Sequence, residues 1–132
     1  MTTEPSRIDA RLAAARAGIR RVAPEHLAGE VAAGALVVDL RPEVDRRRDG
    51  ELPGAVVVER IHLEWRLDRT SGAALPGIDD DLVVILVCNE GYASSLAADD
   101  LRRLGLSRAT DLDGGYRAWR RHVDAIGGAP LS

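Results

Sequence analysis

The chain has 132 residues, of which 45% are hydrophobic and 30% are charged, and its formal net charge is −3. This length suits one globular domain with a real core, and the acidic balance argues against nucleic-acid binding as the main role. No apolar stretch approaches the ~20 residues of a membrane-spanning helix, and no signal-peptide pattern is found. A single cysteine excludes an internal disulfide and a cysteine-based zinc site. We therefore expect a cytoplasmic protein with no membrane or nucleic-acid partner, no metal and no cofactor.

Predicted helices and strands alternate along the chain. An amphipathic helix is expected first, behind a cap at Ser6, and Pro24 suits the start of a second helix. Later helices are expected behind Ser94 or Ser95, either of which would serve as the cap, and over residues 116–123. Five short strands are predicted, at residues 20–22, 36–39, 55–58, 82–87 and 109–111.

This alternation is typical of βαβ units, so the predicted fold class is α/β with a parallel sheet. The domain organisation that we expect has three parts. They are an N-terminal helical extension over residues 1–19, an α/β domain over residues 20–124 and a flexible tail over residues 125–132.

Cys88 is the most informative residue of the sequence. It follows a continuous Val/Ile/Leu run at residues 82–87, which is typical of a strand buried on both faces of a parallel sheet. A glycine-containing loop and a helical pattern come next, and this is where open α/β sheets bind ligands. The backbone N–H groups of such a loop favour an anion and would stabilise a thiolate. The sequence thus favours a reactive thiol, and a buried structural cysteine is the alternative.

Three segments of the chain resemble motifs of the rhodanese family. Residues 38–42 and 50–55 are similar to the D-x-R…G-H-I-P-G-A signature. Residues 88–94 resemble the active-site loop C-x-x-G-x-R-S, and residues 113–119 resemble the closing L-x-G-G-x-x-A-W segment. The resemblance implies a five-stranded, mainly parallel sheet with helices on both faces, and sulfur transfer through a persulfide on Cys88.

Several motif residues have a structural interpretation of their own. Asp39 and Arg41 lie two apart at a strand end, where they point to the same side and would tie loops together through charge-assisted hydrogen bonds. Gly114 and Gly115 would permit a sharp entry into the last helix.

The loop also departs from the family pattern. Ala93 stands where many rhodaneses carry an active-site arginine, so a side-chain cation is missing at this point. Glu90 adds a carboxylate, which would disfavour the thiolate if it points inward and would have little effect if it points to solvent. We expect substitutes for the missing cation in the segment after the third strand, where Arg60 and Arg66 are candidate anion contacts.

The predicted function is that of a sulfurtransferase. The Cys88 thiolate would take sulfane sulfur from thiosulfate or a persulfide and pass it to a nucleophilic acceptor: a thiol, cyanide or a protein. The bound sulfur would be held by backbone amides of the loop, at Asn89, Glu90, Gly91, Tyr92, Ala93 and Ser94. Two alternatives remain open: a non-catalytic rhodanese-like binding or regulatory module, and a thiol redox sensor. A phosphatase is disfavoured, because phosphate would need a clamping arginine in the loop.

Overall fold

A parallel sheet organises residues 4–127, the part of the chain that the computed structural model describes. Within that range the sheet has four strands, in the spatial order β2-β1-β3-β4, and every neighbouring pair is parallel. The strands are β1 (Leu36–Asp39), β2 (Val56–Val57), β3 (Val84–Val87) and β4 (Ala109–Asp111).

Helices connect these strands and cover both faces of the sheet. Between residues 4 and 127 there are six α-helices, namely α1 (Arg7–Ala17), α2 (Leu27–Ala32), α3 (Glu43–Asp49), α4 (Leu63–Leu67), α5 (Ala93–Arg103) and α6 (Gly115–Ala125). Two 3-10 turns, Pro24–His26 and Arg60–His62, lead directly into α2 and α4. None of the helices in this range is long and apolar enough to span a membrane.

The predicted α/β fold with a parallel sheet is confirmed, but the fifth strand is not formed in the described residues. Val22 makes a single parallel bridge to Leu112 instead. Its N–H donates to the Asp111 carbonyl at 2.9 Å, and its carbonyl accepts from the Asp113 N–H at 2.8 Å. Pro24 has no N–H to continue such a ladder and begins a 3-10 turn, so the pairing ends after one residue.

Two hydrophobic cores lie on opposite faces of the sheet. Val84 and Leu86 face a core that includes buried residues of α4 and α5, whereas Ile85 and Val87 face a core that includes residues of α2 and α6. All four side chains are completely buried. Because successive side chains of β3 point alternately into two apolar cores, the strand carries an unbroken apolar run. The rigid strand also fixes the position of Cys88, the residue that follows it.

Helix α1 packs against α5. Its Ser6 cap accepts a hydrogen bond from the Asp9 N–H, as predicted, and Leu12 and Ala15 are buried. Arg11 pairs with Asp99 of α5 at 2.9 Å. The N-terminal extension is thus attached to the helix that follows the Cys88 loop. Of the predicted C-terminal tail, residues 128–132 lie outside the described range, and α6 includes Ala125.

Candidate active site

Cys88 is the first residue after β3, and five residues separate Val87 from the start of α5. Its sulfur accepts hydrogen bonds from the Gly91 N–H at 3.1 Å and from the Ser94 N–H at 3.4 Å. The loop therefore curls around the sulfur and directs backbone dipoles at it. Of the six loop amides predicted to surround this position, two make hydrogen bonds to the sulfur itself.

Ser94 has a different role from the predicted one. Helix α5 starts behind Tyr92, and no side chain caps it. The Ser94 hydroxyl is buried, donates to Asp111 Oδ2 at 2.7 Å and lies 3.2 Å from Cys88 Sγ, whose S–H can donate to it. Ser95 is not a cap either, because its hydroxyl donates to the same carboxylate oxygen at 2.8 Å. Both hydroxyls point into the core because the buried Asp111 carboxylate, at the end of β4, requires hydrogen-bond donors.

Gly91 occupies a position that only glycine fits. Its φ is +86°, and a Cβ added there would lie 2.8 Å from the Gly114 nitrogen and 3.1 Å from the Gly115 nitrogen. Gly115 is equally constrained, since its Cβ would lie 2.5 Å from the Cys88 carbonyl oxygen. Gly114 and Gly115, at the start of α6, thus allow the chain to pass in contact with the Cys88 loop, in addition to their predicted role of starting the helix.

Two arginines bind the backbone of the loop at the Gly91 carbonyl, and we call this side of the loop the rear face. Arg16 of α1 and Arg21 each donate from Nη2 to the Gly91 carbonyl at 2.8 Å. Arg21 also donates from Nε to Asp111 Oδ1 at 2.9 Å, and its Nη1 pairs with Asp113 at 2.9 Å. Burial disfavours the Arg21 cation, but hydrogen bonding and charge from Asp111, with smaller contributions from Asp113 and Cys88, raise its pKa above the ordinary value.

In front of the sulfur lies a cleft of about 380 Å³, which we call the pocket face. Its wall is lined by Leu40, Arg41, Pro42, Asp45, Arg60, Cys88, Asn89, Glu90, Tyr92 and Ala93. Cys88 is partly exposed to this space. The thiol is therefore accessible from the cleft rather than sealed in the core, as a reactive cysteine requires.

The structure brings one of the two candidate anion contacts to the cleft. Arg60 lines the wall beside Cys88, but its Nη1 pairs with Glu64 at 2.8 Å and its Nη2 with Asp100 at 2.6 Å. Arg66 is not part of the wall, and it donates to the Ala73 carbonyl at 2.8 Å on the surface. Arg66 is thus not positioned as an anion contact of this cleft.

Glu90 points to solvent, the second of the two orientations considered. Its carboxylate is half exposed and pairs with Arg117 at 2.6 Å. Exposure and pairing both screen its charge from the sulfur.

Asp39 and Arg41 form a buried pair that holds two loops together. Arg41 Nη2 lies 2.9 Å from Asp39 Oδ2 and also donates to the Gly50 carbonyl at 2.8 Å. The guanidinium stacks on the Tyr116 ring, with Cζ 3.8 Å from the ring centroid, and the side chain is fully buried. This arrangement fits the structural interpretation of the pair.

Asn89 belongs to the cleft wall and is bound to Asp49 at the end of α3. Its Nδ2 donates to Asp49 Oδ2 at 3.3 Å, and because a carboxylate only accepts, this contact fixes which way the amide faces. Its Oδ1 is buried and has no hydrogen-bond partner among residues 4–127. Hydrogen bonds from Arg48, with a smaller one from Asn89, lower the pKa of Asp49 to about 2.

Three residues that support the site, Arg16, Arg21 and Asp111, were not singled out by sequence reasoning. Asp111 had a detectable signal, because it is a charged residue at the carboxyl end of a predicted buried strand, on the same sheet edge as Cys88. The two arginines had none, since they contact the loop from 70 to 75 residues away in the chain. No group of three or more potential metal ligands occurs in the described part of the chain.

A family model and a named relative both match most of this chain. The family model described as Rhodanese-like domain matches residues 23–122. The thiosulfate sulfurtransferase GlpE of Pseudomonas fluorescens (strain SBW25) is 32% identical over 101 residues, which cover 76% of this chain and 84% of the relative.

Solved structures are similar as well. A protein of unknown function from Rhodopseudomonas palustris, described as a possible tyrosine phosphatase, superposes with a TM-score of 0.79 at 29% identity and covers 92% of this chain and 95% of its own. A human single-domain sulfurtransferase, TSTD1, gives a TM-score of 0.63 at 26% identity, over 79% of this chain and 97% of its own.

Proposed function

Because the chain belongs to the rhodanese-like family, we propose that it is a sulfurtransferase in which Cys88 carries the transferred sulfur as a persulfide. The single observation that carries the proposal is the position of Cys88 Sγ at the cleft, within hydrogen-bond distance of the Gly91 and Ser94 N–H groups. Two amide dipoles directed at one sulfur stabilise negative charge on it, first in the attacking thiolate and again when this thiolate is the leaving group of the second displacement.

The reaction has two displacements at sulfur. In the first, the Cys88 thiolate attacks the outer sulfur of a donor, the donor's S–S bond breaks, and sulfite or a thiolate leaves with the bonding electron pair. In the second, an acceptor thiolate or cyanide attacks the outer sulfur of the Cys88 persulfide. The Cys88–sulfur bond then breaks and the thiolate is regenerated.

Phosphoryl transfer, which the description of the Rhodopseudomonas palustris neighbour suggests for that protein, is not supported by the loop of this chain. Between Cys88 and Ser94 the loop contains no arginine, so it offers no guanidinium to bind phosphate oxygens in bidentate fashion.

Intact-protein mass spectrometry tests the proposal. The purified protein is incubated with thiosulfate, and in parallel with an organic hydropersulfide, and is then examined for one added sulfur atom. We expect the adduct in the wild type and none in Cys88→Ser, followed by thiocyanate formation and loss of the adduct when cyanide is added. If no donor gives a Cys88-dependent adduct, the protein is not a sulfurtransferase, and a binding module or a redox sensor becomes the better interpretation.

A further inference from the structure

The pocket face provides no unpaired cation for an anionic substrate. Within the described residues, two guanidinium groups belong to the cleft wall, and both are held by carboxylates. Arg60 is bound by Glu64 and by Asp100, so that two negative charges surround one positive charge. Thiosulfate carries two negative charges, and binding it here would bring it close to these carboxylates with only backbone N–H groups and no unpaired side-chain cation to compensate.

Arg41 does not change this balance. Its Nη1 has no hydrogen-bond partner between residues 4 and 127, but the side chain is completely buried and lies against the ring of Tyr116. The Asp39 carboxylate also neutralises its charge at 2.9 Å. A substrate in the cleft would therefore not reach the guanidinium without disrupting this packing.

Asn89 Oδ1 does not select between donors either. It has no hydrogen-bond partner within the described range but, like Arg41 Nη1, it is buried, and the amide is bound to Asp49 outside the cleft wall. Neither of these two unpaired polar atoms is therefore accessible to a substrate, and the side-chain cation that an anionic donor needs is missing.

The rest of the wall is suited to an organic group. Leu40, Pro42, Tyr92 and Ala93 contribute apolar surface to the cleft. A second, smaller cleft of about 190 Å³ shares Leu40, Pro42 and Arg60 with the first and extends to Glu59 and to Ile61, which is 71% exposed. A substrate with an apolar group attached to its sulfur would cover this surface.

We infer that the sulfur donor is an organic hydropersulfide, R–S–S–H, with an uncharged group R, rather than thiosulfate; this inference rests on the proposed function of Cys88. The Cys88 thiolate attacks the outer sulfur, the S–S bond of the donor breaks, and R–S⁻ leaves to solvent. The proton on the outer sulfur stays with it, so the products are Cys88–S–S–H and R–S⁻, and atoms and charge balance.

The test compares four donors by the second-order rate of Cys88 persulfide formation, followed by intact mass. They are thiosulfate and the hydropersulfides of N-acetylcysteine methyl ester, of glutathione and of a neutral cysteine-containing peptide. Each rate is divided by the rate of the same donor with free 2-mercaptoethanol, a thiol that none of the donors contains, which removes the intrinsic reactivity of the donor.

We expect the normalised rate with the uncharged hydropersulfide to exceed that with thiosulfate by roughly tenfold to a hundredfold, the range expected for one missing hydrogen bond to a charged group. The glutathione derivative, whose R group carries charge, should fall between the two. The peptide hydropersulfide shows whether the donor is a protein or a small molecule. A normalised rate well above that of the N-acetylcysteine methyl ester hydropersulfide indicates a protein-bound donor. A similar or lower rate indicates a small-molecule donor. A thiosulfate rate equal to or above the hydropersulfide rate would overturn the inference.

Two variants make the test specific for the missing cation. Ala93 is exposed, so Ala93→Arg fits without repacking and should raise the ratio of the thiosulfate rate to the hydropersulfide rate about tenfold. Glu64→Gln combined with Asp100→Asn frees Arg60 and should shift the ratio of the two rates in the same direction. Asp99→Asn is the matched control for Asp100, because it removes one negative charge from the adjacent residue of α5 that pairs with Arg11 and Arg103 instead.

Different results would contradict the donor assignment and the proposed sulfurtransferase function. If Ala93→Arg raises both rates equally, or if Asp99→Asn shifts the ratio as much as the Arg60-freeing variant, the charge argument is wrong while the sulfurtransferase proposal stands. If no donor labels Cys88 at all, the proposed function is wrong, and the donor assignment falls with it.

Discussion

The two faces of the Cys88 loop use arginine in opposite ways. On the rear face, Arg16 and Arg21 both donate to the Gly91 carbonyl, at 2.8 Å each. On the pocket face, Arg60 is bound to the carboxylates of Glu64 and Asp100, and Ala93 stands where the rhodanese loop motif has arginine. The rear-face cations, Arg16 and Arg21, thus support the backbone that holds the sulfur, whereas Arg60 does not contact it. This difference indicates that variants of the rear face change the geometry of the loop, whereas variants of the pocket face change the choice of substrate.

The largest effect is expected for Asp111→Asn. The Asp111 carboxylate is fully buried, binds Arg21 and accepts hydrogen bonds from the Ser94 and Ser95 hydroxyls. Removing its charge leaves the partly buried Arg21 cation without its main partner, and we expect the free energy of unfolding to fall by about 3 kcal/mol. Urea unfolding measures this change.

Asp113→Asn is the matched control for that variant. Asp113 pairs with the same arginine, but its side chain is 61% exposed, and such a surface pair contributes about 0–1 kcal/mol. Equal losses in the two variants would mean that the buried carboxylate is not what anchors the rear face.

These residues also show how far the sequence could predict the site. The apolar run before Cys88 predicted a buried strand, because side chains on both faces of a parallel sheet must be apolar, and this placed the thiol at the correct edge. Ser94 was predicted to be a cap because hydroxyls are common at helix starts, but the tertiary contact with Asp111 outweighed that local preference. Such contacts leave no periodic pattern, so sequence reasoning had no means of detecting them.

Arg60 illustrates the same limit on the pocket face. The order of elements placed it correctly near Cys88, because both follow strands of one parallel sheet. Whether its charge was available depended on Asp100, a residue 40 positions later that α5 brings to within 2.6 Å. The location of this arginine could be predicted, but the pairing that decides its function required the three-dimensional structure.

A smaller effect is expected for Arg16→Met. This change keeps an unbranched aliphatic side chain but removes the guanidinium, with its hydrogen bonds to the Gly91 carbonyl and to the Ser95 hydroxyl and its contact with the Tyr92 ring. We expect a loss of about 1 kcal/mol in the free energy of unfolding, because Arg21 still binds the same carbonyl. The rate of Cys88 persulfide formation should fall roughly fivefold, since a loosened loop directs the Gly91 N–H less well at the sulfur.

Comparison of donors separates this positioning role from a contact with substrate. Arg16→Met should slow thiosulfate and the uncharged hydropersulfide by the same factor, whereas a pocket-face variant changes their ratio. Arg11→Met serves as the control, since Arg11 lies on the same helix and pairs with Asp99 without touching the loop. If Arg11→Met slows sulfur transfer as much as Arg16→Met, the effect comes from the stability of α1 and not from the loop carbonyl.

The smallest effect concerns Asp49, whose carboxylate anchors Asn89 on the pocket face. Hydrogen bonds, mainly from Arg48 and then from Asn89, lower the pKa of this group from 3.8 to about 2 in the folded protein. A lowered pKa means that the folded state favours the carboxylate, so its contribution to stability is complete above pH 3.8 and is lost as the pH falls to about 2. Asp49→Asn should therefore lower the urea midpoint slightly at pH 6, and the difference from the wild type should shrink as the pH falls through about 2. A difference that is constant between pH 6 and pH 2 would show that the charge of Asp49 contributes nothing, and that the pocket face is held by packing alone.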